Sequence, residues 1–476
     1  MGDFFKRIFR KEDPTRYEDK DSNLERVLTV KDFLSLGVGT IVSTSIFTLP
    51  GVVAAKHAGP AVIFSFLIAA VVAGLVAFAY AEMASSMPFA GSAYSWINVI
   101  FGEVFGWIAG WALLAEYFIA LAFVASGLSA NLRGLLAPMG IGLPNYLSNA
   151  IGVNGGFVDI VAILVIALVA FLLSYGVSEA ARVENILVVM KVVAILVFIV
   201  VGATAIKVKN YIPLVPAYHV NSDGTTFGGW QGIYAGVSMI FLSYIGFDSI
   251  AANSAEAKNP EKTMPRGILG SLVIAATLFV AVALVLVGMF HYTSYANNAE
   301  PVGWALRHAG HPIVASVVQA VAVLGMFTAL IGMMMAGSRL LYSFGRDGML
   351  PKSLGKLNRR NLPNNALWTI AIVAIVIGAF CPFAFLAQLI SAGTLIAFMF
   401  VSLGIYPLRR REGVDLAEPG FKMPFYPVMP FLAFLGSLLV FWGLDNEAKL
   451  YALCWFIIGL VVYFSFGIKH KDAEKQ

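Results

Sequence analysis

Residues 37–50, GVGTIVSTSIFTLP, lie in the first long apolar run of a 476-residue chain, yet they carry five hydroxyl side chains, two glycines and a proline. Hydrocarbon offers a peptide group no hydrogen bond, so irregular backbone at membrane depth survives only when buried in protein or lining a cavity. Two readings stand for this stretch. It is either close helix packing through small residues or a helix interrupted near Ser43, Thr44 and Ser45.

The chain around it is 59% hydrophobic and only 12% charged, with a positive mean hydropathy, a balance outside that of soluble domains. Apolar runs recur over residues 31–57, 60–87, 103–132, 157–176, 182–206, 230–256, 266–290, 313–344, 366–381, 384–407, 425–443 and 449–467. Each approaches the roughly 20 residues that cover a hydrocarbon core. The expected fold is an all-α polytopic membrane protein of twelve transmembrane helices.

With a cytoplasmic N-terminus, Lys258, Lys262, Arg266, Arg346, Lys352, Lys356, Arg359, Arg360, Arg409, Arg410, Arg411, Lys469, Lys471 and Lys475 all fall on the cytoplasmic side. The opposite loops hold little more than Lys207, Lys209 and Arg307. The positive-inside rule therefore expects both termini in the cytoplasm. The net charge of +5 reflects this topology and implies no nucleic-acid partner. In the first thirty residues, Phe4, Phe5, Ile8 and Phe9 are expected either to touch the membrane surface or to belong to a disordered tail.

No phosphate-cradling loop ending in Lys-Ser or Lys-Thr is present, which argues against a built-in ATP motor. Cys381 and Cys454 suggest neither a disulfide framework nor a metal site. The histidines fall at span ends or in loops. No nucleophile-base constellation indicates an enzyme, and no cofactor is expected.

A second interrupted span decides between the two readings. Residues 236–260, GVSMIFLSYIGFDSIAANSAEAKNP, repeat the Gly-Val-x-x-Ile of 37–41 and then break over Ser243 to Asp248. Breaks at corresponding places, five spans apart, point to a secondary transporter with inverted repeats. Such breaks suit an amino acid: the half-helix after residue 45 turns free N–H groups toward a carboxylate, and half-helices ending near Ile41 and Ile245 turn carbonyls toward an ammonium.

These segments, with AGPAVIFSFLIAAVVAGLVAFAYAEMASSMPFAGSAY (58–94), GWALLAEY (110–117), EAARVENILVVMK (179–191) and SRLLYSFGRDGMLP (338–351), resemble the amino acid-polyamine-organocation superfamily and its cationic amino acid transporter branch. The resemblance implies a five-plus-five inverted repeat of the leucine-transporter type, with alternating access to a midplane site. The first repeat would run over 31–207, the second over 208–407 and two peripheral helices over 408–467, with tails at 1–30 and 468–476. The family often has Gly-Thr-Gly or Gly-Ala-Gly at the first break, where this chain has Ser43-Thr44-Ser45; the added hydroxyls predict side-chain contacts to substrate.

Ionisable residues inside spans are functional hypotheses by default. Glu116, Lys191 and Asp248 qualify. If the fifth helix starts near Arg182, Lys191 lies roughly 13 Å deep and becomes a candidate to gain and lose a proton in each cycle. The resemblance puts its ammonium where sodium-coupled relatives bind sodium, between the first and eighth spans, with Thr328 facing it. The alternative is a lysine that only braces the bundle.

Glu116 reads as a protonatable partner, a recogniser of cationic side chains or a hydrogen-bonded core residue. Asp248 reads as the brace of the unwound turn, with direct substrate contact as the alternative. Glu82 is either a gate or a solvated helix end, and Phe241, Tyr244 and Phe247 surround the second break as candidate gates. The expected function is proton-coupled symport of an L-amino acid, with H+ as coupling ion, in the plasma membrane. An obligate exchanger and a non-transporting receptor are the rivals. Cationic, small neutral and hydrophobic substrates all remain open, as do oligomeric state and any small membrane partner besides the lipid bilayer.

Overall fold

A computed structural model describes residues 9–15, 17, 26–153, 155–220, 226–296, 298, 300–416 and 418–468. Phe4, Phe5, Ile8, Lys469, Lys471 and Lys475 lie outside the described residues. The principal helices are α1 (Val30–Ile41), α2 (Thr44–Val53), α3 (Val62–Ser86), α4 (Ala93–Ile100), α5 (Glu103–Leu136), α6 (Ile160–Tyr175), α7 (Val177–Ala203) and α8 (Gly229–Ile240). They continue as α9 (Phe247–Ala252), α10 (Pro260–Met289), α11 (Pro301–His308), α12 (Pro312–Arg346), α13 (Asn364–Phe380), α14 (Phe383–Arg411), α15 (Val428–Trp442) and α16 (Asn446–Val462).

Eight helical stretches among the described residues are long and apolar enough to cross a membrane, the first being the broken run Val30–Ser86. Three shorter apolar helices are α6, α13 and α15. Against the all-α expectation, the described residues hold a two-residue antiparallel pairing of His219–Val220 with Thr226–Phe227 and a few isolated bridges, such as Leu28 with Ala257. The fifth apolar helix begins at Val177, five residues before the expected Arg182. Two short helices, α4 and α11, have no counterpart among the expected spans.

Burial sorts the helices into centre and rim. In α5, 94% of the most apolar window is buried, against 22% in the stretch Asn446–Gly467. The central helix packs against α12, α14 and α13, while α10 packs against α3 and α1. Trp442, Leu450, Leu453, Ile457 and Val461 on α15 and α16 are exposed, as expected of helices whose outer face meets lipid tails rather than water.

The bundle end at Val30 is tied down by specific polar contacts. The Thr29 amide donates to Asp32 Oδ2 at 2.8 Å in a capping box that starts α1. Glu82 on α3, fully buried, takes a bidentate pair of bonds from Arg409 at 2.8 and 2.9 Å. Tyr17 is buried against the same end: Asn98 donates to its hydroxyl at 2.8 Å, and its ring stacks on Phe89 at 5.4 Å. Phe9 is half exposed and its ring lies 5.8 Å from that of Phe105. Part of the N-terminal segment thus packs on the bundle.

Candidate functional site

The first break falls at Val42 and Ser43. Val42 leaves the helical region (φ −82°, ψ 74°), and Ser43 follows with φ −112° and ψ −143°. A β-branched pair, Ile41 and Val42, precedes three hydroxyl residues whose short side chains compete for backbone groups, so the local sequence favours leaving the helix here. The half-helix α2 then starts without any side-chain cap, which leaves its first N–H groups as donors for a ligand.

The second break follows a tight turn at Phe241–Tyr244: Ile245 is extended (ψ 136°) and Gly246 has φ +136°. Only glycine adopts that conformation without strain. It also brings the two breaks together, since a Cβ on Gly246 would stand 3.1 Å from the Ile41 nitrogen. Thr40 Oγ1 lies 3.2 Å from the Gly246 carbonyl, and the Ser249 hydroxyl donates to that carbonyl too. The Ile41 carbonyl accepts from Ser43 N at 2.9 Å and keeps a second lone pair for another donor.

Around this junction Thr44 Oγ1, Ser45 Oγ and Ser243 Oγ are buried without a hydrogen-bond partner. A buried hydroxyl left unpaired costs about 1–3 kcal/mol, and these three stand beside one uncapped helix end, which makes this junction a candidate site for a polar ligand.

Lys191 stands on the far side of α1 and is fully buried. Its Nζ donates to the Gly39 carbonyl at 2.9 Å and the Gly325 carbonyl at 3.3 Å, and lies 3.2 Å from Thr328 Oγ1. One ammonium therefore links α7, α1 and α12. Glu184, seven residues earlier on α7, is also buried; its Oε1 would stand 3.0 Å from a Cβ on Gly39 and has no hydrogen-bond partner. The sequence reading missed Glu184, although two turns of helix put it on the Lys191 face.

Glu116 Oε2 accepts from Thr394 at 2.6 Å, and Asp248 accepts from Tyr117 at 2.8 Å and from the Gly246 amide at 3.0 Å. Asp248 thus holds the unwound turn and ties α9 to α5, while Glu116 ties α5 to α14. Phe241 and Phe247 pack on Phe398 at 6.1 and 5.2 Å. Tyr244 is fully buried and donates to the Phe66 carbonyl of α3 at 2.9 Å. Its hydroxyl is thus already engaged by protein.

A bundle of apolar helices, two of them broken where they meet, defines a membrane carrier. The family model described as amino acid permease matches residues 28–466, and the chain belongs to that family, whose members are carriers rather than enzymes. It is 66% identical over 464 residues to the branched-chain amino acid permease BcaP of Lactococcus lactis, covering 98% of this chain and 99% of that protein. It is 36% identical to the methylthioribose transporter of Bacillus subtilis, over 98% and 99% of the two chains. To the vacuolar cationic amino acid transporter 4 of Arabidopsis thaliana it is 33% identical, over 84% of this chain and 66% of that one.

Proposed function

We propose that this permease moves branched-chain L-amino acids across the plasma membrane by proton-coupled symport. The observation that carries the reading is the meeting of the two helix breaks at Ile41 and Gly246, beside three hydroxyls without protein partners. The α-carboxylate binds the free N–H groups opening α2, with Thr44 and Ser45 donating from their side chains. The α-ammonium binds carbonyls at Ile41 and Ile245, with Ser243 beside it.

Counting Val30–Ser86 as two passes and adding the three shorter apolar helices gives twelve crossings. These divide into repeats over 31–207 and 208–407 followed by two peripheral helices, with both termini cytoplasmic. The two repeats rock about the breaks to open the site to each side in turn. Proton coupling falls to Lys191, whose ammonium ties α7 to α1 and α12 and whose neutral form releases them.

The side-chain preference follows from the state of the two carboxyls. Glu116 is engaged by Thr394, and Asp248 by Tyr117 and Gly246, which disfavours recognition of a cationic side chain by either. The similarity to a branched-chain permease supports the same choice.

Uptake of radiolabelled L-leucine into proteoliposomes with an inside-alkaline gradient tests the reading. Expected is accumulation that collapses with a protonophore and is inhibited by isoleucine and valine but not by arginine. Counterflow without net accumulation would indicate exchange, binding without uptake a receptor, and inhibition by arginine a cationic substrate; each contradicts the proposal.

A further inference from the structure

One helical turn beyond the first break, on the side of α2 away from Val30, lies a cavity of about 160 Å³. It is smaller than the roughly 300–1,000 Å³ of sites for drug-sized ligands. Thr48 of α2, Ser126 and Arg133 of α5, Asn149 of the connection after α5, and Asp159 at the start of α6 supply its polar wall. Ala130, Ala150, Val153 and Cys381 supply an apolar one.

The polar wall holds both charges of a zwitterion. Arg133 directs Nη1 to the Ser148 carbonyl and to Asn149 Oδ1 at 2.7 Å, while its other guanidinium nitrogens have no hydrogen-bond partner among the described residues. Asp159 Oδ1 takes Ser129 Oγ at 2.8 Å and the Ala162 amide at 3.1 Å, and the carboxylate also feels the Arg133 charge across the cavity. Ser126 is 92% buried, lines the cavity, and its hydroxyl has no protein partner.

The cavity also adjoins the junction of the breaks. Gly127, next to Ser126, lies so close to Thr44 that a Cβ there would overlap its side chain. Thr44 and Thr48 are one turn apart on α2, about 6 Å along the axis. A ligand in the cavity is therefore one turn away from the unpaired hydroxyls of the central site.

We propose that this cavity is a second, entry-side binding site for the amino acid, in which Arg133 receives the α-carboxylate, Asp159 the α-ammonium, and the apolar wall the branched side chain. The inference rests on the reading that the chain carries such amino acids inward through the helix breaks. Ser126 supplies its hydroxyl to the carboxylate. The site raises the local substrate concentration before the molecule moves one turn down to Thr44 and Ser45.

Equilibrium binding of radiolabelled L-leucine to the full chain in lipid nanodiscs tests it, with proteoliposome uptake measured on the same preparations. Expected are two equivalents bound by the parent and one by Arg133→Gln. Uptake KM should rise about tenfold in that variant, as for the loss of a charge-assisted hydrogen bond. Ser126→Val removes no protein hydrogen bond but narrows the cavity, and it too should bind one equivalent. One equivalent in the parent with uptake intact overturns the second site and leaves the transport reading standing. Two equivalents in both variants also overturn it. Absence of uptake by the parent contradicts the transport reading instead.

Discussion

Lys191 and Gly39, 152 residues apart in the chain, meet through a 2.9 Å hydrogen bond from the lysine Nζ to the glycine carbonyl. The carbonyl lies two residues before Ile41, the last residue of α1 ahead of the break. In the proposed cycle the charge on Nζ thus acts directly on the half-helix that borders the substrate. The contact to Gly325 and Thr328 lets the same charge hold α12, so one protonation event changes three helices together.

Substrate contact by Ser45 is separable from its structural role. Its hydroxyl is buried and unpaired, so Ser45→Ala removes no protein hydrogen bond and should leave the melting temperature unchanged or higher. The leucine KM should rise about five- to tenfold. An unchanged KM in uptake kinetics would mean that Ser45 merely stands where relatives carry glycine.

The Glu82–Arg409 pair should behave as a buried brace. Glu82→Gln leaves the largely buried Arg409 guanidinium without its carboxylate, and breaking such a pair from one side costs about 3 kcal/mol or more. Thermal unfolding in detergent should show a clear fall in midpoint. An unchanged midpoint would assign the pair no structural work.

A pH effect on stability is expected at Glu300, in the loop before α11. Burial pushes its carboxyl above the usual carboxylate range, against the opposing pull of Arg307, to which it is bonded at 2.5 Å. A raised folded value means that the native state binds the proton more tightly. The contribution is therefore complete below the unfolded carboxyl value of about 4.3 and disappears as pH rises through the folded one. The difference in melting temperature between the parent and Glu300→Gln should shift against the parent over that interval. A difference independent of pH would contradict it.

Both breaks were legible in the sequence because glycine, serine and threonine clustered inside apolar runs are conspicuous against a lipid background, and so was the lone lysine of α7. The first lies at Val42 and Ser43, about a residue before the expected Ser43 to Ser45, and the second centres on Ile245 and Gly246, within the expected Ser243 to Asp248. Partner choice was not legible. Tyr244 bonds to Phe66, 178 residues away, and Tyr17 packs beside Asn98 and Phe89; such contacts depend on tertiary packing that no local pattern encodes. The helix α4 escaped because its eight residues, all buried, are too few to span a membrane and give little periodic signal.

The most direct test of the account is gradient-driven uptake by Lys191→Met. The substitution keeps a flexible side chain between α7 and α12 but carries no proton. Predicted is leucine counterflow close to that of the parent, with loss of accumulation under an imposed pH gradient. Accumulation at the parent level by Lys191→Met, driven by the same gradient, would contradict the coupling role and leave the lysine as a brace.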